Sequence, residues 1–337
     1  MWKAPLAIIS IICFLLSVVP DKDQFQWPKY LSEWALFEGE LSGLNPIQTA
    51  IPYHVRSPLF SDYAHKQRFI ILPEGTQMGY KADGPLDFPE GAILVKSFYY
   101  PSDFSKPEND LQVMETRLMI LQNDKWHAAS YAWNREQTDA KLAIGGSGQT
   151  ARWIDNSGKI KTLNYSIPNA NQCTNCHINN GVVKPLGITA RQLNHNGAFQ
   201  QLQSAGLISG MPIHDKIPLM ADYRDPSSGT LDERARAYLD VNCAHCHRPE
   251  GPANSSGLYL QYTSRDNHQL GIMKSPVAAG RGSGGKKYNI VPGKPKASIL
   301  LHRMVSDDPG VRMPELGRQL QHQEGIDLIR DWIKSLK

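Results

Sequence analysis

The sequence predicts a multidomain α+β chain in which an export segment is followed by a β-rich amino-terminal domain and then an all-α domain. Three observations predict it. Short β-branched and aromatic runs alternate with turn residues from 53 to about 167. A capping box and helical periodicity take over after 229. Between the two, 212–228 carries three prolines and no apolar period. The expected boundaries are 1–20 for the export segment, 21–211 for the β-rich domain and 229–337 for the all-α domain.

Met1-Trp2-Lys3 opens with one positive charge, and an apolar run interrupted by Ser10 and Ser17 extends to Val19. A short charged region before an apolar one reads as a secretory signal. The run is slightly short of the roughly 20 residues that a spanning helix needs. A cleaved signal is therefore expected, with an uncleaved single membrane anchor as the alternative, and the periplasm as the compartment. Ile11 and Ile12 are too bulky for a lipoprotein signal, so Cys13 reads as part of the export segment.

Strands are expected at 69–72, 92–100, 113–121 and 127–133, separated by Pro-Glu-Gly and Asn-Asp turns. Residues 154–159 read as a hairpin loop leading from Trp153 into a strand over 160–167. A helix is expected over 188–202, closed by Gly206. Thr230 and Glu233 form a capping box that starts a helix running to about 242. A glycine-rich loop at 280–285 and a short helix at 298–304 follow. Ile326, Ile329, Ile333 and Leu336 then mark an amphipathic terminal helix.

Lys and Arg total 36 against 32 for Asp and Glu, a formal charge of +4 without a basic stripe. That excludes a nucleic-acid partner. No hydrolase triad, P-loop or dinucleotide fingerprint is present.

The chemistry lies in the cysteines. Cys173-Thr-Asn-Cys176-His177 and Cys243-Ala-His-Cys246-His247 both read C-x-x-C-H. Two thiols three positions apart can reach the two vinyl groups of one porphyrin, and the adjacent histidine then lies beneath the ring as an iron ligand. Two covalently bound haem c groups are expected. A thioredoxin-like pair lacks its βαβ context. A four-cysteine zinc site would leave both histidines unexplained, and zinc pairs usually stand about 15–20 residues apart, against 70 here.

A low-spin carrier needs a sixth ligand. Met313, in the loop Met313-Pro-Glu-Leu-Gly317 before the terminal helix, is the candidate opposite His247. Met304 reads as core and Met273 as the weaker ligand. For the first haem, His195, Met211, His214 and Met220 follow the motif, His54 and His65 could reach it from the sheet, and an open position is the equal alternative. His245 reads as a spacer.

The order of capped helix, C-x-x-C-H, connector, Met-Pro loop and terminal helix over 229–337 resembles a class I cytochrome c domain. That resemblance implies an all-α haem fold with His247 and Met313 axial. Phe88-Pro-Glu-Gly91 through Lys96, with Glu115-Thr-Arg117, is similar to a small β-sheet family of cytochromes that oxidise hydroxylamine on a lysine-cross-linked haem. Across the whole mature chain, Pro58-Leu-Phe-Ser-Asp-Tyr63, Asn171 through His177 and Lys184-Pro-Leu-Gly-Ile188 resemble an exported di-haem c-type cytochrome family. The motif spacing differs from that of the bacterial di-haem peroxidases. Two functions are expected to compete. One is electron transfer between periplasmic redox partner proteins; the other is oxidoreduction of a small molecule at an open first haem, with the second haem as electron port.

Overall fold

A computed structural model of the protein describes residues 25–337; the expected export segment, with Cys13, lies outside the described residues. Among the described residues no helix is long and apolar enough to cross a membrane.

The amino-terminal half is organised by a six-stranded antiparallel sheet. Its strands are β1 (Ile51–Pro52), β2 (His65–Ile71), β3 (Ile93–Pro101), β4 (Leu111–Gln122), β5 (Lys125–Trp133) and β6 (Ala140–Leu142), each hydrogen-bonded to the next in that order. The side-chain period of two gives the sheet two unlike faces. On one, Phe69, Val95, Leu118 and Tyr131 pack against Leu31, Leu36 and Leu44 in a sealed core. The other is apolar only at its ends. At one end, Ile70, Leu94 and Met119 meet Ile188, Leu193 and Phe199. At the other, Phe98, Tyr100 and Met114 meet Trp153, Leu163 and Tyr165 of a hairpin, β7 (Ser147–Ile154) and β8 (Ile160–Ile167). The strip between these ends is charged.

Helix α1 (Ala170–His177) follows β8 and packs on β5. The expected helix over 188–202 forms as two pieces, α2 (Ala190–Leu193) and α3 (Ala198–Ser204). Asn196 and Gly197 separate them with left-handed φ of 50° and 72°. α4 (Leu231–Leu239) starts at the expected capping box, where Thr230 Oγ1 accepts from Glu233 N at 3.2 Å and Glu233 Oε2 from Thr230 N at 2.8 Å. It continues as a π segment, Asp240–Ala244. α5 (Ile299–Met304) and α6 (Gln323–Ser335) complete the helices, and Trp332, Ile329, Tyr238 and Leu239 share their core. Met220, Ala221 and Tyr223, from the proline-bearing connector, pack into the same core.

The expectation of an all-α carboxy-terminal domain needs correction. Over 229–337 the α-helices are short, long turns separate them, and two parallel bridges occur, Ile272 with Ile290 and Tyr288 with Ser298. The molecule is mixed α/β around its antiparallel sheet, and no all-α domain is evident. The physical reason is legible after the fact. Residues 248–298 hold eight glycines and five prolines, which remove helical hydrogen bonds and raise the entropic cost of ordering.

Candidate haem-attachment site

Helix α1 carries the first motif because its start is well capped. Asn169 Oδ1 accepts from Gln172 N at 2.9 Å, and Gln172 Oε1 accepts from Asn169 N at 3.0 Å. One helical turn then puts Cys173 and Cys176 on the same face. Cys173 is buried, with Sγ 3.9 Å from Ser130 Oγ on β5. The second motif starts at the end of the π segment that prolongs α4, with Cys243 on the segment and Cys246 and His247 just beyond it. Asn242, immediately before it, is buried; its Nδ2 donates to Tyr238 O at 2.9 Å, and its Oδ1 accepts from Phe60 N at 3.0 Å. The second motif is thereby tied to the loop that precedes β2.

Both motif histidines are prepared in the same way. His177 Nδ1 lies 2.9 Å from the carbonyl of Lys184, which can only accept, so Nδ1 carries the proton. His247 Nδ1 lies 3.1 Å from Ser256 Oγ. That hydroxyl gives its one proton to Ala253 O at 2.7 Å, so it too accepts from the imidazole. In each ring Nε2 is left with its lone pair, the tautomer that a metal-binding histidine needs. Burial holds both imidazoles down to about 4, neutral at neutral pH.

None of the four cysteines is in a disulfide. Burial raises the Cys173 and Cys176 thiols, and pushes Cys246 up to about 11 and Cys243 to about 12. Such thiols are poor free nucleophiles, unlike a thioredoxin-type pair. Among the described residues no three of His, Cys, Asp or Glu converge on one ion.

The motifs meet. Asn180 N donates to Glu250 O at 3.2 Å, and Arg248 Nη2 to Ile178 O at 3.0 Å. The chain leaving His177 thus runs along the chain leaving His247. A cavity of about 730 Å³ opens between the charged strip of the sheet and this junction. Cys173, Cys176 and His177 line it, as do Asn242, His245 and Met313, whereas Cys243, Cys246 and His247 lie beside it. Thiol pairs on one helical face, free Nε2 atoms and a large adjoining cavity all fit a covalently attached porphyrin.

The Met313 loop is held from both sides. Met313 N donates to Arg303 O at 3.0 Å. Just beyond the loop, Asp62 Oδ1 accepts from Gln319 N and Leu320 N, both at 2.7 Å. Met304 is core, at 5% exposure, and Met273 is exposed at 48%.

Among the described side chains, which do not include that of His214, the candidates for the first haem's sixth ligand are not gathered at the cavity. His195 Nε2 is engaged by His54 O at 3.0 Å, His65 is packed against Tyr99 and Phe104, and Met220 is in the carboxy-terminal core. Met211 packs with the cluster around Phe199. Two histidines that the sequence reading passed over do line the cavity. His245, read as a spacer, is held down to about 4 by burial, with His177 among the charges that lower it further. His322 immediately precedes α6, stacks on Phe60 with ring centroids 4.2 Å apart, and bonds Tyr238 Oη through Nδ1 at 3.2 Å. No sequence period distinguishes them.

Comparison with protein-family models, with curated proteins and with solved structures finds no match.

Proposed function

We propose that the chain is an exported di-haem c-type cytochrome, with haems attached at Cys173/Cys176 and Cys243/Cys246, that passes electrons between periplasmic redox partner proteins. The observation that carries this reading is the shared state of the two histidines: each is neutral, with Nδ1–H fixed on an oxygen and Nε2 free. A haem bound at such a motif supplies one-electron chemistry at a potential set by its axial ligands and surroundings. Lys184 and Ser256 orient the two imidazoles. The direct junction of 178–180 with 248–250 supports electron passage within one chain. Met313 is the proposed axial partner of His247, supported by the backbone bonds that fix its loop.

The cavity supports a second reading, in which the first haem acts on a small molecule and the second serves as electron port. Of the candidates for the first haem, none of His54, His65, His195, Met211 and Met220 lines the cavity that holds His177.

Spectroelectrochemical titration of the full exported protein tests the proposal. Two one-electron waves are expected, and a protein with no redox-active chromophore would end it. Met313→Ala should lower one of the two potentials and abolish a sulfur-to-iron band in the ferric spectrum. An unchanged band would reassign the ligand.

A further inference from the structure

The charged strip on the sheet is a single cross-strand row. Register places Arg68 of β2 opposite Lys96 of β3, Lys96 opposite Arg117 of β4, and Arg117 opposite Ser130 of β5. Directly opposed residues share a face with Cβ atoms about 5 Å apart, where like charges destabilise a sheet. Three cations in line therefore need anions.

Only one is supplied by the neighbouring strands. Glu115, fully buried, takes both arms of Arg117 at 2.8 and 2.6 Å, and Tyr165 Oη donates to it at 2.6 Å. Arg68 and Lys96 have no ion pair among the described residues. The close neighbour of the Lys96 ammonium is the Phe98 ring, 4.7 Å away, which Arg117 also covers at 4.5 Å. All three cations line the cavity. Burial and the neighbouring positive charges hold the Lys96 ammonium well below its ordinary range, the response expected of a cation lacking its anion. The row ends on Ser130, whose hydroxyl touches the Cys173 thiol. An anion on the row would therefore sit beside the first motif.

We propose that Arg68, Lys96 and Arg117 form an oxyanion-binding wall that receives a carboxylate or similar oxyanion group of whatever occupies this cavity. Two sources share that chemistry: the carboxylates of a porphyrin attached at Cys173 and Cys176, or a free inorganic oxyanion. Only the first rests on the function proposed above.

Calorimetric titration of the full-length protein with sodium sulfate, which is a poor iron ligand, separates the sources. If the wall takes free oxyanions, sulfate binds the native protein, and Lys96→Gln and Arg68→Gln each weaken it at least tenfold. If porphyrin carboxylates fill the wall, sulfate does not bind. Loss of either cation then lowers one of the two haem potentials, because positive charge near the iron disfavours the ferric state. Lys96→Arg should restore native behaviour in either case, separating lost charge from misfolding, and Lys334→Gln on the exposed face of α6 should change nothing. Absence of sulfate binding together with unchanged potentials in both glutamine variants would overturn the proposal. Absence of attached haem would sink the proposed function, while the sulfate titration still reads the wall.

Discussion

The two C-x-x-C-H motifs share one pattern in two different surroundings. The first lies on an eight-residue helix laid over the charged strip of a sheet, and its cysteines and histidine face a cavity. The second continues a helix that buries its own Ala237, Tyr238 and Leu239 in the carboxy-terminal core, with Cys243 packed on the same core and the motif set beside the cavity. Burial raises all four thiols, the second pair to about 12 and about 11. Under the proposed function, the motif would specify attachment and the surroundings access. A haem against a packed core suits a carrier; one facing a roomy, cation-lined space suits exchange with small molecules.

That contrast can be broken most forcibly from the packed side. Trp332 is 1% exposed in the carboxy-terminal core, and its Nε1 donates to Asp232 at 2.8 Å. Trp332→Ala should cost about 3–5 kcal/mol in urea unfolding and disturb the second haem's spectrum while leaving the first haem's intact. Equal disturbance of both would mean that the surroundings are not separate.

A smaller effect comes from His322, at the seam between the halves. Burial holds its imidazole down to about 4, against an ordinary value of 6.5. Because the folded value is depressed, its contribution is present above pH 6.5 and is lost as pH falls towards 4. That difference is worth about 3 kcal/mol. His322→Gln should flatten the pH dependence of unfolding in that window, and an unchanged slope would assign the acid sensitivity elsewhere.

The caps give the smallest expected effect and compare the two attachment helices directly. Asn169→Ala and Thr230→Ala each remove a reciprocal cap and should cost about 1 kcal/mol. The first should loosen α1 and the second α4, as read by amide exchange in each helix.

Much of the local structure was legible in the sequence. The strand runs, the 154–159 hairpin loop, the Thr230–Glu233 box and the terminal helix all form where local chemistry directs them. The all-α expectation failed because the helix signals at the two ends of 229–337 are separated by a segment, 248–298, whose glycines and prolines disfavour helix. Two segments singled out in the sequence have structural roles. In 58–63, Phe60 N bonds Asn242 and the Asp62 carboxylate bonds the backbone at 319–320, so this segment clasps the halves together. In 184–188, the Lys184 carbonyl orients His177. The cation row was not legible, because Arg68, Lys96 and Arg117 are aligned only by strand register, which no local pattern reports. His322 escaped for the same reason, its partners Phe60 and Tyr238 being remote in sequence.

Haem stoichiometry tests the central claim most directly. The intact mass of the purified protein, taken after acid–acetone extraction, should exceed that of the polypeptide alone by two haems. Replacing Cys173 and Cys176 by alanine, or Cys243 and Cys246, should each remove one haem and leave the other attached. A mass increase of one haem or none in the unaltered chain would contradict the account.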